Sequence, residues 1–176
     1  MSGVDRRVLV VGTTGDYIDL LCRRFPGRAV WLTDASVRAH AAYPKPDDAA
    51  EVLCDLTRPD EALTALEDHL ARWQMELTGI ACYDCESMPL AAFLARSLSL
   101  PYPSPAAVAA CRSKLVSKQL WRRAGLPCPE ADCVESREQA RGFLRRLGRP
   151  VVLKPLTGSG SELTFLCADE QACARA

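Results

Sequence analysis

Four short apolar runs, each leading into a helix-like stretch, constrain the first hundred residues more than anything else in the chain. They are Arg6–Gly12 (RRVLVVG), Ala29–Asp34 (AVWLTD), Glu51–Asp55 (EVLCD) and Leu77–Tyr83 (LTGIACY). Runs this short, rich in β-branched and aliphatic residues, suit strands covered on both faces, which is the condition of a parallel sheet. Between them lie helical patterns. One covers Asp16–Phe25 and stops at Pro26-Gly27. A second places Leu63, Leu66, Leu70 and Trp73 on one stripe, with Thr57 and Asp60 spaced as a capping pair before it. A third covers Pro89–Leu98, with Leu90, Phe93, Leu94 and Leu98 on its buried face. Residues 35–48, which include Pro44 and Pro46, read mainly as loop, and Leu100–Tyr102 as a short last strand.

Strands alternating with helices imply βαβ units and right-handed crossovers. Residues 1–104 are therefore expected to form a Rossmann-like α/β domain, ending at Pro103-Ser104-Pro105. Its ligand crevice should lie at the carboxyl ends of the strands, near Gly12–Asp16, Asp34 and Asp84–Glu86. Gly12-Thr13-Thr14-Gly15 is not the G-x-G-x-x-G dinucleotide fingerprint, and no G-x-x-x-x-G-K-[ST] occurs.

After this break the rhythm changes. A short helix over Ala106–Cys111 precedes a longer one, Lys114–Ala124 (KLVSKQLWRRA), which stops at Gly125 with Pro127 and Pro129 beyond. Glu130–Glu135 is a strand candidate, and Ser136 with Gln139 makes a capping box for a helix over Arg137–Leu147. Then Pro150-Val151-Val152-Leu153-Lys154-Pro155 runs into Leu156-Thr157-Gly158-Ser159-Gly160-Ser161, and Glu162 to Cys167 (ELTFLC) reads as a second strand. This predicts an antiparallel pair joined by a loop of small residues. Glycines let a backbone approach a ligand closely, successive amides can form an anion-binding concavity, and Lys154 would add a point charge. A plain hairpin connection with a surface lysine accounts for the same stretch. Residues 169–176 read as the start of another helix.

The totals exclude several classes. Hydrophobic residues at 48% and charged residues at 25% are those of an ordinary globular chain, and a net charge of zero gives no nucleic-acid footprint. Residues 1–100 hold 10 basic against 15 acidic side chains, and 101–176 hold 12 against 7, a balance that suits an anionic ligand in the second part. No signal-peptide pattern or membrane span is evident, and nine scattered cysteines suggest a reducing cytoplasm. Cys82-x-x-Cys85 lacks the second pair that a structural zinc site requires, and Cys82 lies within a strand rather than at a helix start, so no metal site is expected in the chain. Lys118, one turn beyond Lys114, reads as a solvated residue, and the Arg141, Arg145, Arg146, Arg149 group as a solvated helix face.

Taken in order, Cys111-Arg112-Ser113-Lys114, Lys118-Gln119-Leu120, Ala124-Gly125-Leu126-Pro127-Cys128-Pro129, Pro150–Pro155 and Gly158–Ser161 resemble the ATP-grasp superfamily, and within it the carboxylate–amine ligases, L-amino-acid ligases and carbamoyl-phosphate-synthetase-like branch. The resemblance is densest over 111–167. It departs at Ser113, where many relatives have Asp or Asn, and at Leu163-Thr164, where Gly-Val often follows the loop.

The resemblance implies a Rossmann-like pre-ATP-grasp domain, 1–104, followed by the small α+β nucleotide-binding subdomain, 105–176, in truncated form. It implies that Lys114 and Lys154 contact the phosphates of ATP and that Thr157, Gly158, Ser159, Gly160 and Ser161 close over them. It places the ligands of Mg²⁺ outside this chain and leaves the catalytic residues unassigned. Glu86 lies where the amino-acid-ligase branch often has an acid facing its substrate, although an acid opening the next helix explains it equally. The implied activity is that of the N-terminal part of an ATP-dependent carboxylate–amine (or thiol or ammonia) ligase working through an acyl phosphate. The alternatives are a non-catalytic nucleotide-binding or regulatory module and one subunit of a split enzyme. The implied partners are ATP, a small carboxylate and amine, and a second copy or a complementing C-terminal half. The chain alone is expected to be inactive.

Overall fold

A computed structural model describes residues 4–158 and 160–175. The chain divides into two compact units, the first ending at Val108 and the second beginning at Ala109.

The first unit is built on four parallel strands: β1 (Asp5–Val11), β2 (Ala29–Asp34), β3 (Glu51–Cys54) and β4 (Met75–Cys82), in spatial order β3-β2-β1-β4. Val10 lies opposite Trp31 on one side and Ala81 on the other, which makes β1 a central strand. The strand order reverses at β1, so its carboxyl end is the switch point where open α/β sheets hold ligands. The first three connecting helices are α1 (Gly15–Arg24), α2 (Ala35–Ala39) and α3 (Pro59–Trp73). Helix α4 (Met88–Ser97) follows β4, and α5 (Pro105–Arg112) runs across the division between the units.

Alternate residues of the strands serve two cores. Leu9, Val11, Val30, Leu32 and Val52 face α3 and α4, where Leu66, Leu90 and Leu94 complete the larger core. Val10 and Trp31 face the other way, toward Ile18, with Leu21 and Tyr43 packed beside them. Burying residues of this size stabilises the unit by about 1.5–3 kcal/mol each, so the sheet forms even though α1 and α3 lack side-chain N-caps.

Three local expectations are corrected. Residues 35–39 are helical rather than loop, because the Asp34 carboxylate accepts from the amides of Ser36 (2.9 Å) and Val37 (3.2 Å). Thr57 does not cap α3. Its amide and hydroxyl bind the Asp55 carboxylate, and Pro59 opens the helix. Leu100–Tyr102 is irregular rather than a strand.

The second unit holds α6 (Lys114–Arg123), α7 (Arg137–Leu147), β5 (Val151–Leu153), β6 (Phe165–Cys167) and α8 (Glu170–Arg175). Strands β5 and β6 are antiparallel, with Val151 opposite Cys167 and Leu153 opposite Phe165. The expected strand 162–167 is ordered as a strand only over its last three residues, because Ser161 and Leu163 adopt left-handed backbone (φ 61° and 50°), which a strand cannot include. Glu130–Glu135 is irregular. Ser136 caps α7 by accepting from the amide of Gln139, whose own side chain accepts from the amide of Glu135, and Gly148 ends the helix at φ 62°. Leu144, Cys167 and Cys173 make the buried centre of this unit. Among the described residues, no helix is long and apolar enough to cross a membrane.

Candidate functional site

Each unit carries one cluster of the predicted residues. In the first, β1 is followed by Gly12, whose φ of +69° turns the chain away from the sheet. A Cβ there would stand 2.3 Å from Ser87 Oγ and 2.5 Å from Asp84 Oδ2, so the backbone of the β1–α1 turn and the start of α4 meet where only glycine fits. Asp84 is taken up by the fold. Its Oδ1 accepts from the amide of Glu86 (2.7 Å), and its Oδ2 accepts from the amide of Ser87 (3.1 Å) and from the Ser87 hydroxyl. Glu86 is exposed on this same turn. The ring of Tyr17, in the first turn of α1, lies 5.1 Å from that of Tyr83, tilted by 43°, beside the same strand ends. This pair was not foreseen, because two tyrosines 66 positions apart carry no local pattern.

Asp34 ends β2. Besides capping α2 it accepts from the amide of Leu56 (3.3 Å), and its hydrogen bond from Ser36 holds the carboxyl below its ordinary value. Cys82 ends β4 and donates its thiol to the carbonyl of Asp84 (3.0 Å). Burial pushes this thiol up to about 11, against the thiolate character that metal binding or redox chemistry needs.

In the second unit, Ser113 caps α6 by accepting from the amide of Val116 (3.3 Å), and Lys114 is its first residue. The backbone amide of Lys114 donates to the carbonyl of Leu156 (3.0 Å). Its ammonium donates to the carbonyls of Thr157 (3.2 Å) and Gly158 (3.0 Å). The helix start and the glycine loop, 43 and 44 residues apart in sequence, are thus joined by three hydrogen bonds. The loop takes left-handed backbone at Gly158 (φ 93°), Gly160 (φ 69°) and Ser161. A left-handed residue next to a right-handed one is a backbone pattern from which an amide-lined concavity for an anion can be built. Lys154 follows β5 directly, is exposed, and makes no hydrogen bond or ion pair among the described residues. Ser159 lies outside the described residues. The structure thus brings Lys114 to Thr157 and Gly158, while Lys154, Gly160 and Ser161 adjoin that contact along the chain, and Glu86 belongs to the first unit's cluster.

Lys118 is not merely solvated. Its ammonium (3.4 Å) and the guanidinium of Arg122 (3.2 Å) both reach the carbonyl of Pro129, tying the Gly125–Pro129 turn back onto α6. Spacing i, i+4 was the available signal; what it lacked was the acceptor, which is a backbone group.

No known family profile matches the chain. It is 33% identical over 76 residues to the uncharacterized protein y4rH of Sinorhizobium fredii, covering 43% of this chain and 16% of that one. It is 37% identical over 60 residues to a D-alanine–D-alanine ligase of Delftia acidovorans, covering 33% of this chain and 18% of the ligase. Among solved structures it resembles the L-amino acid ligase of Bacillus licheniformis (TM-score 0.61, 15% identity, 96% of this chain and 42% of that one). It also resembles the N5-carboxyaminoimidazole synthase of Aspergillus clavatus, solved with ADP and the aminoimidazole ribonucleotide (TM-score 0.63, 18% identity, 99% of this chain, 43% of that one). A third is the biotin carboxylase domain dimer of a Hydrogenobacter thermophilus 2-oxoglutarate carboxylase, solved with MgADP, ADP and bicarbonate (TM-score 0.59, 18% identity, 96% of this chain, 39% of that one). The chain thus spans less than half the length of each of these proteins. The likeness is one of fold: it takes in 96–99% of this chain and the N-terminal portion of those ATP-grasp enzymes.

Proposed function

We propose that the chain is the nucleotide-gripping and substrate-facing part of an ATP-dependent carboxylate–amine ligase. On this reading residues 1–104 are the pre-ATP-grasp domain and 105–176 the small subdomain that holds the phosphates. The observation that carries it is the hold of Lys114 on the carbonyls of Thr157 and Gly158, in the loop that the exposed Lys154 leads into.

The residues present fit a polyphosphate. The left-handed positions at 158, 160 and 161 shape the loop, and Lys154 is a cation with no internal partner among the described residues. ATP, when bound, supplies the phosphoryl group that activates a carboxylate as an acyl phosphate for attack by an amine. The task of this chain is to hold that group by Lys154 and the loop amides, with Lys114 keeping the loop shut from beneath. Fixed charges and donors set where negative charge develops are the main physical requirement of phosphoryl transfer. The residues do not fit Mg²⁺: among those described, no group of three or more His, Cys, Asp or Glu could hold a metal ion. A hard cation needs several oxygens, so we place its ligands elsewhere in the complete active site.

The test is calorimetric titration with ATP. Lys154→Ala should lose about 1–3 kcal/mol of binding, the range for one charge-assisted hydrogen bond. Equal affinity in mutant and parent would remove Lys154 from the phosphate site. A second reading makes the chain one subunit of a split enzyme. A stoichiometric complex with a separate polypeptide would support that reading.

A further inference from the structure

The first unit buries a charged pair that none of the foregoing roles employs. Arg38, from α2, donates through Nε (3.1 Å) and Nη2 to Oε1 of Glu51, the first residue of β3. The Glu51 side chain is fully buried and that of Arg38 is 9% exposed. The Thr33 hydroxyl donates to the same Oε1 (2.7 Å), so its one proton is committed. Thr13 and Thr33 share a hydrogen bond of 2.5 Å, and Thr13 must therefore be its donor. At the other end, the guanidinium of Arg38 lies 4.7 Å over the ring of Tyr43. That ring fills the space beside Gly15, where a Cβ would stand 2.4 Å from Cδ1.

The chain of contacts is closed. It starts at Thr13, passes through Thr33, Glu51, Arg38 and Tyr43, and returns to Gly15, two residues further along the β1–α1 turn. Stability alone does not account for it. A buried ion pair gains little over apolar residues of the same volume, because desolvation offsets its attraction. Arg38 Nη1, Glu51 Oε2 and the Tyr43 hydroxyl are, moreover, buried with no hydrogen-bond partner among the described residues. What apolar residues cannot do is hold a hydroxyl in one direction, as the hydrogen bonds among Thr13, Thr33, Glu51 and Arg38 do.

We propose that Arg38 and Glu51 are positioning residues for the β1–α1 turn, fixing Thr13 from one side and Gly15 from the other so that the turn is set before a carboxylate substrate arrives. This rests on the reading that the strand-end crevice takes the substrate, but its test does not. Amide hydrogen exchange would be followed residue by residue in Thr33→Val, which keeps the side-chain shape and removes the hydroxyl, and in Thr33→Ser, which keeps the hydroxyl and removes a methyl. Thr33→Val should speed exchange at residues 13–16 at least tenfold, with Leu9–Val11 and β4 unchanged, and Thr33→Ser should behave as the parent. Thr13→Val, which breaks the relay at its other end, provides the same measurement if Thr33→Val does not fold. Unchanged exchange in the turn would overturn the proposal. So would acceleration spread over the whole sheet, or a serine variant that behaves like valine. Carboxylate titrations that leave the turn undisturbed would count against the substrate reading alone.

Discussion

Gly12 and Ser87 meet so closely that a single methyl group on Gly12 would stand 2.3 Å from Ser87 Oγ and 2.8 Å from its Cβ. The contact joins the turn after β1 to the start of α4, the two segments that flank the crevice. Gly27 has nearly the same left-handed backbone, φ +68° against +69°, but open space around it. Gly12→Ala should therefore cost about 2–5 kcal/mol, combining left-handed strain with overpacking. Gly27→Ala should cost only about 1–2 kcal/mol, from the backbone alone. Urea unfolding of the two variants measures the difference, and equal losses would show that the α4 contact carries no energy.

Asp34 gives a pH-dependent cap. Its carboxyl is held below the ordinary value, first by Ser36, so the charged form is favoured in the folded state. Stability from this group is fully present above the unfolded value of about 3.9 and is lost as pH falls through the lower folded value. Asp34→Ala should destabilise by about 0.5–2 kcal/mol at pH 7, with the deficit shrinking below pH ~4. Asp34→Asn keeps an acceptor for the α2 amides and should lose less. Thermal unfolding between pH 7 and 3 follows both.

Thiol reactivity should sort by burial. Cys54 and Cys82 are both pushed up to about 11, chiefly by burial, so at pH 8 about one molecule in a thousand carries the thiolate at either position. Cys167 and Cys173 are buried. Exposed Cys111 and Cys133 should be alkylated first in a timed iodoacetamide reaction read by peptide mass mapping. Cys82 reacting as fast as Cys133 would contradict the burial described.

Lys114 should govern the loop rather than only its ligand. Lys114→Met removes both ammonium bonds to the carbonyls of Thr157 and Gly158 and leaves the amide bond to Leu156. Limited proteolysis should then cut within 156–163 several-fold faster without ATP present. Unchanged cleavage would mean that the loop is held by its own backbone.

The 176-residue chain should release no phosphate from ATP and Mg²⁺ with any amino acid. The acids near the loop are Glu162, exposed, with Asp169 and Glu170 beyond β6, too few to bind a metal at the transferring group. Amine-dependent release that follows the protein through purification would overturn this.

The elements legible in sequence were those whose signal is local. The β2 bounds, Ala29–Asp34, agree with the structure because an apolar run between Gly27 and a capping Asp leaves little choice. The capping of α7 was readable from Ser136 and Gln139 for the same reason. Helix α2 was missed because two prolines downstream drew the whole segment toward loop, while the Asp34-x-Ser36 signal occupied only three positions. The Arg38–Glu51 pair could not be read, since twelve intervening residues separate partners that meet only when β3 pairs beside β2. At the candidate site, the lysines and the glycine loop were visible as a pattern. The hydrogen bonds of Lys114 to backbone carbonyls were not, because a carbonyl has no identity in sequence.

The small centre of the second unit, with Leu144, Cys167 and Cys173 buried against β5 and α8, has a consequence for how the protein comes into being. Cys167 and Cys173 lie well beyond Val108, where the first unit ends, so that centre cannot close until Cys173 has left the ribosome. The first unit has its complete sheet and both of its cores by Val108. Domains tend to fold as units in order of synthesis. The earlier unit can therefore stand folded while the phosphate loop is still being made, and the hairpin that would grip the nucleotide acquires its shape only after the sheet that precedes it is in place.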